Sequence, residues 1–271
     1  MATEIIINQA LQSFASPALT LLLQAITFLG SPIFWVFVAA WLFWYGKERS
    51  SFMAVTVILF AGAISGGLKQ LIMRPRPQGI LVMDEVFGYS LPSGHATLAG
   101  TAFGFFTGKL KRREKYLVFL LAILVAISRI YLGVHFLSDV LAGLLLGYII
   151  GKCLAILEKK AKKTDLHITK IKKEITIVFL VLAAIFCVFI LPSDLFIAQA
   201  LFGYYIGYAL HKHYKFQNKK SKKVTLIVGT IILALLMGTA TLTSGITSQI
   251  TFFIAGLFIP LMPAAITKLN R

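Results

Sequence analysis

Three short stretches of the chain hold side chains suited to phosphate chemistry. Residues 69–77 read KQLIMRPRP, residues 92–95 read PSGH and residues 128–139 read SRIYLGVHFLSD. Together they supply Lys69, Arg74, Arg76 and Arg129, two histidines, one aspartate and a turn with Gly94. Lysine and arginine offer positive charge, and the arginine fork fits phosphate oxygens. An imidazole can attack phosphorus or carry a proton. The set is what is needed to grip a phosphate and break a P–O bond.

Each stretch also has a plainer reading. Basic residues close to a membrane can extend to headgroups. The PSGH turn can aim backbone N–H groups and the Ser93 hydroxyl at an anion near a helix N-terminus. It is equally an ordinary helix start with Ser93 as N-cap, and the two readings are compatible. His135 and Asp139 are four apart, so on a helix they share a face. The carboxylate can then hold one imidazole nitrogen and leave the other basic. A capping aspartate beside an interfacial histidine has the same spacing. Two histidines and one or two acids could ligate a cation, yet four nearby basic residues would repel it, so no metal is expected. His167, His211 and His213 fall in basic loops and receive no role. Asp84 and Glu85, between the first two motifs, could contact substrate or balance the arginines, and the second is the favoured reading.

The elements that must position these residues are membrane helices. Of 271 residues 58% are hydrophobic and 14% charged, and the mean hydropathy is +0.84. A soluble domain needs more polar surface than that. Apolar runs long enough to cross ~30 Å of hydrocarbon recur throughout, and lipid favours helices because they satisfy their own backbone. The predicted spans are 28–45, 52–72, 94–110, 116–132, 136–157, 175–191, 195–210, 224–242 and 250–266. Residues 1–30 mix apolar stretches with Asn8, Gln9, Gln12 and Gln24 and are interrupted by Pro17, which reads as an interfacial amphipathic helix pair.

The net charge of +17 does not indicate nucleic acid, because the charge clusters between apolar spans. Of the 27 basic residues, only Lys69, Arg74, Arg76 and Arg129 fall on one side of the threading, and the other 23 fall on the opposite side. The positive-inside rule makes the rich side cytoplasmic, where the basic loops can also touch anionic membrane lipids. All three motifs then share the extracytoplasmic face, with the N-terminus outside and the C-terminus inside. The expected organisation is an interfacial segment (1–30), a catalytic transmembrane core (31–157), a basic cytoplasmic linker (158–174) and four C-terminal spans of unassigned role (175–271). Gly143, Gly147 and Gly151 form a close-packing face; whether it serves within the chain or in a homodimer stays open. Cys153 and Cys187 read as packing residues, and no cleavable signal peptide is expected.

At these residues the chain resembles the type 2 phosphatidic acid phosphatase superfamily, which also contains lipid pyrophosphate phosphatases and vanadium haloperoxidases. The family pattern is a lysine, six residues and Arg-Pro; then PSGH; then Ser-Arg, five residues, His, three residues and Asp. Here those are Lys69 with Arg76-Pro77, Pro92 to His95, and Ser128-Arg129 with His135 and Asp139. The resemblance covers roughly residues 31–157. It implies an all-α polytopic bundle with a catalytic core and about four extra C-terminal helices. It implies that His135 attacks phosphorus, Asp139 orients it and His95 protonates the leaving oxygen. Lys69, Arg76, Ser93, Gly94 and Arg129 would hold the phosphate, with no metal and no cofactor. The implied substrate is a lipid phosphate or pyrophosphate: undecaprenyl pyrophosphate, phosphatidylglycerol phosphate or phosphatidic acid. Arg74 lies outside the pattern but close enough to help. Membrane members usually begin with a span ahead of the interfacial segment, and this chain begins at that segment. The extra spans motivate an alternative, a lipid transporter or flippase on a phosphatase-like core. A haloperoxidase is disfavoured, because the members with that activity are soluble.

Overall fold

The computed structural model describes residues 2–84, 86, 88–163, 195–214, 222–243 and 245–268. The predicted span 175–191, most of the basic linker, Glu85, His167 and Cys187 lie outside the described residues. Ten helices are present, and no strand occurs among the described residues. They are α1 (Ala2–Gln12), α2 (Pro17–Phe28), α3 (Pro32–Trp44), α4 (Glu48–Ile72), α5 (Gly94–Phe106), α6 (Arg112–Tyr131), α7 (Leu137–Lys163), α8 (Leu195–Tyr214), α9 (Lys222–Leu242) and α10 (Gly245–Lys268).

Local chemistry sets several helix starts. Pro17 opens α2 behind Ser16, whose side chain accepts the Leu19 N–H at 3.3 Å. Pro32 opens α3 behind Ser31, whose Oγ accepts the Phe34 N–H at 3.2 Å. Proline suits the first helical position because its missing N–H has no helical partner there. The breaks shorten two predicted spans. The run 28–45 is divided between α2 and α3, and the run 94–110 ends its helix at Phe106. The 13 residues of α5 rise only ~20 Å, less than the hydrocarbon thickness. Three helices, Glu48–Ile72, Leu137–Lys160 and Val224–Leu242, are long and apolar enough to cross a membrane among the described residues. The pair Thr3–Gln12 and Pro17–Phe28, bent by 117°, makes a fourth if it counts as one broken span.

By contacts the chain divides into two compact units, Met1–Phe34 with Phe60–Asp165, and Trp35–Leu59 with Leu166–Arg271. This division differs from the ranges expected from sequence, because residues 35–59 group with the C-terminal helices.

In the first unit α5 packs along α7. Backbone meets backbone at the glycines: a Cβ on Gly147 would lie inside the Thr97 carbonyl, and one on Gly151 inside the Thr101 carbonyl. Gly100 and Gly104 of α5 meet the Leu144 and Tyr148 carbonyls in the same way. The glycine face of α7 is therefore used within the chain. This contact buries all of α5 from Ala96 to Ala102. Lys109 and Glu158 form an ion pair at 2.5 Å, marking the end of the unit where α5 finishes and α7 approaches its own C-terminus. The motif residues gather at the opposite end.

In the second unit α8 packs on α10 by the same device, with Gly203 against the Phe253 carbonyl and Gly256 against the Ala200 carbonyl. Pro263 inside α10 has no N–H for the Ile259 carbonyl, and the Trp44 indole donates to that carbonyl at 2.8 Å.

Candidate functional site

Lys69 sits in the last turn of α4 and donates to the Tyr89 carbonyl at 2.7 Å. Met73, with φ 52°, then takes the chain out of the helix through the left-handed region. The loop that follows is pinned by Ser90, which donates its N–H to Arg74 O at 2.8 Å and its hydroxyl to Pro75 O at 2.9 Å. Arg76 is thereby folded inward. It donates to the carbonyls of Gly88 and Val134 at 2.9 and 2.8 Å, and its guanidinium comes within 3.4 Å of His135 Nε2. Burial, with the Arg129 charge beside it, lowers the Arg76 pKa to about 10, so it stays cationic at neutral pH.

Ser93 stands at the N-cap position of α5 with extended backbone but makes no side-chain cap bond. Its N–H donates to the Asp139 carbonyl at 3.0 Å, while its hydroxyl is buried without a hydrogen-bond partner. The ordinary capping role open to this serine in the sequence is thus not taken up by its side chain. Gly94 opens the helix and His95 occupies its first turn. The imidazole lies within electrostatic reach of Arg129, His135, Lys69 and Arg76, and the tight approach of Gly30 to the His95 backbone holds it there.

Arg129, in the last turn of α6, is only 1% exposed. It donates to Thr27 Oγ1 at 3.0 Å and to Asp84 Oδ2 at 2.6 Å; its Nε is buried with no partner. Gly133, with φ +75°, ends the turn after α6, and a side chain there would run into the Leu81 carbonyl.

His135 follows in the turn ahead of α7 rather than on the helix. Its carbonyl accepts from Asn8 Nδ2 at 3.0 Å. Its Nδ1 lies 3.5 Å from Asp139 Oδ2, too long for a well-formed hydrogen bond. That same Oδ2 accepts the Phe136 N–H at 2.8 Å. Asp139 therefore closes the turn and faces the imidazole at once, which unites the capping and orienting readings of the sequence. Burial pushes the His135 imidazole well below its ordinary 6.5. The Lys69, Arg76 and Arg129 charges push it the same way, and a backbone interaction with Ser90 opposes them.

The structure thus brings Lys69, Arg76, Ser93, Gly94, His95, Arg129, His135 and Asp139 to one end of the first unit. It adds residues that the motifs did not name. Arg74 donates to Asp139 Oδ1 at 2.7 Å and to Glu4 Oε2 at 2.6 Å, and stacks 4.4 Å above the Phe136 ring. Glu4 also accepts the Ser138 N–H at 2.9 Å. Asn8, fully buried, donates to the Ile130 and His135 carbonyls. Gln12 donates to the Leu81 and Tyr131 carbonyls at 2.6 and 2.9 Å. Glu4, Asn8 and Gln12 recur every four residues, a polar stripe on one face of an otherwise apolar helix. That stripe was the signal available in the sequence. The segment expected to lie at the interface supplies part of the site's frame.

A cavity of about 1060 Å³ opens beside the cluster, lined by Gln24, Arg76, Met83, Asp84, Val86 and Val134 among others. No group of three or more His, Cys, Asp or Glu among the described residues is placed to hold a metal ion. The arrangement can hold an oxyanion against Lys69, Arg76 and Arg129, with one imidazole nitrogen facing it.

Comparison with known proteins points the same way. The family model described as the PAP2 superfamily matches residues 50–163. Phosphatidylglycerophosphatase B of Bacillus subtilis (strain 168) is 30% identical over 171 residues, which are 58% of this chain and 84% of that protein. The lipid A 1-phosphatase of Rhizobium etli is 34% identical over 101 residues, which are 34% of this chain and 43% of that protein. A crystal structure of a transmembrane PAP2-type phosphatidylglycerolphosphate phosphatase from Bacillus subtilis superposes with a TM-score of 0.53 at 28% identity, covering 59% of this chain and 86% of that one. With its membrane-length helices, its all-helical fold and a relative matched over most of that relative's length, the chain belongs to the PAP2 superfamily as one of its membrane phosphatases.

Proposed function

We propose that the protein removes a terminal phosphate from a membrane lipid through a phosphohistidine, with its site on the extracytoplasmic face of the cell membrane. The observation that supports this most is the meeting of two imidazoles with Lys69, Arg76 and Arg129, where Ser93 Oγ and Arg129 Nε are buried donors with no protein partner. An oxyanion would satisfy both. The scarcity of basic residues on the motif side supports the outward orientation.

His135 Nδ1 faces Asp139 while Nε2 faces Arg76, so Nε2 is the nucleophile. It attacks phosphorus as the bond to the lipid oxygen breaks. The bound phosphate offsets the cations beside His95 and lets the ring carry a proton, which it gives to that oxygen. Lys69, Arg76, Arg129, the Ser93 hydroxyl and the Gly94 N–H hold the three remaining phosphoryl oxygens as charge builds on them. Asp139 stabilises the ring once it carries phosphorus. Water then attacks the phosphohistidine, giving up a proton to the now neutral His95, and inorganic phosphate leaves. Lys69, Arg76 and Arg129 provide the charge neutralisation that a metal ion would otherwise supply, so the scheme calls for none.

The relatives act on phosphatidylglycerol phosphate and lipid A by their names. For this chain the substrate class is a phosphomonoester or diphosphate lipid, with its headgroup in the cavity beside Arg76. The test is phosphate release by purified protein in EDTA from phosphatidylglycerol phosphate, phosphatidic acid and undecaprenyl pyrophosphate, with His135→Ala as control. Undiminished turnover by the mutant would end the mechanism.

A further inference from the structure

Arg129 is the most deeply buried of the four cations around the site, and a carboxylate already holds it. Asp84 Oδ2 sits 2.6 Å from the guanidinium. The two partners differ in freedom. The Arg129 side chain is 1% exposed, the Asp84 side chain 33%. Arg129 is fixed from behind by Thr27 and lies on a helix, whereas Asp84 belongs to the loop between α4 and α5. Asp84 also lines the cavity beside the site, and Arg129 does not. An anion coming from that cavity therefore meets Arg129 only past the Asp84 carboxylate.

One Asp84 oxygen on Arg129 Nη1 takes a donor that a phosphate oxygen would otherwise use. Glu4, Asp84 and Asp139 together set three negative charges against Lys69, Arg74, Arg76 and Arg129. The resting cluster keeps little surplus charge for a weak anion. A phosphomonoester dianion gains enough to expel a carboxylate. A phosphodiester, with one negative charge, gains far less. That difference matters in a bilayer, where phosphodiester headgroups are the solvent around the site. Discrimination of this kind needs an element that works against the wrong ligand as well as contacts for the right one.

We propose that Asp84 is a specificity residue, an internal competitor for Arg129 that a phosphomonoester dianion displaces and a phosphodiester headgroup does not. The proposal deepens the phosphate-site reading above and rests on it. It adds no chemical step, since Asp84 swings into the cavity when phosphate arrives and returns to Arg129 when phosphate leaves.

The test uses the full chain in detergent. Inorganic phosphate binding is measured by titration calorimetry for the wild type, Asp84→Asn and Asp84→Glu. Phosphate release is then measured in mixed micelles with a rising mole fraction of phosphatidylglycerol, a phosphodiester lipid. Asp84→Asn should bind phosphate about tenfold more tightly, the scale of one charge-assisted contact. Its apparent KM should rise severalfold with phosphatidylglycerol, while the wild type and Asp84→Glu change little. Equal or weaker phosphate binding by Asp84→Asn would overturn the proposal and make Asp84 a mere support for Arg129. If Asp84→Asn lowers the Tm, Asp84→Ala joins it. The phosphate-induced rise in Tm, each against its own baseline, must then still exceed that of the wild type, and a smaller rise overturns the proposal. Absence of phosphate binding in all the proteins, with His135→Ala as active as the wild type, would sink the site itself.

Discussion

The two units treat buried polar groups in opposite ways. Among the described residues of the second unit they are matched. Ser51 donates to the Ala39 carbonyl and meets the Tyr204 hydroxyl, both at 2.7 Å. His211 reaches the Pro260 carbonyl at 3.1 Å and Glu48 at 3.3 Å. Ser248 donates to the Ala240 carbonyl at 2.7 Å. Among the described residues of the first unit, four buried side-chain atoms are left without a partner: Asn8 Oδ1, Ser93 Oγ, Arg129 Nε and His135 Nδ1. Three of these belong to the phosphate cluster. Unmatched polar atoms in a dry interior are costly and mark places where structure serves chemistry. The matched groups of the second unit hold helices together, as hydrogen bonds do between membrane helices.

The contrast can be broken or sharpened by substitution. The largest effect should come from His95→Ala, which removes the proton donor and should lower kcat about a thousandfold; phosphate release from a lipid phosphate measures it, and a loss under tenfold would remove His95 from the reaction. Arg129→Ala should cost about a hundredfold, and Arg129→Lys should recover little of it, because a point charge does not replace the fork. Next come paired backbone contacts. Gly147→Ala in the first unit and Gly256→Ala in the second each press a methyl group into a facing carbonyl, and each should destabilise by about 1–3 kcal/mol in thermal melts. Only Gly147→Ala should also alter kcat in the folded protein, since Gly143 on the same face packs against Ser93. A collapse of kcat in Gly256→Ala would erase the division of labour.

Glu4→Gln should lower kcat roughly fivefold with KM little changed, since a charge-assisted contact to Arg74 is lost while the phosphate donors stay; Glu4→Asp should restore part of it. The pH profile offers a gentler probe. A histidine held well below 6.5 is neutral, and therefore nucleophilic, throughout the neutral range. It loses that state only as pH falls through the lowered value. The acid limb of kcat/KM should lie below 6.5, and a limb above it would contradict the burial of His135. The smallest change is expected from Ser51→Ala, which should cost about 1 kcal/mol of stability and leave turnover as it was.

The reactive groups were legible because their signals are local. Lys69 with Arg76-Pro77, PSGH, and His135 with Asp139 each sit within a dozen residues, and threading alone set them on one side. The break at Pro17 is equally local, whereas the span drawn over 28–45 ran across the helix start at Pro32. What escaped is tertiary. Nothing near Asp84 in the chain names Arg129 as its partner, and nothing near Glu4 names Arg74. The α7 glycines announced a close neighbour without saying that Gly100 and Gly104 of α5 answer them. The grouping of residues 35–59 with the C-terminal helices depends on pairs such as Trp41 with Thr230 and Ser51 with Tyr204, which no period in the sequence displays. The run 94–110 looked like a full span because hydropathy does not register where Thr107 and Gly108 end the helix.

The grip of Asn8 on the His135 carbonyl carries a consequence for biosynthesis. The ribosome makes α1 long before α6 and α7, so its polar stripe waits unclaimed in the bilayer until those segments emerge. The His135 backbone gains this contact only when early and late segments of the chain meet.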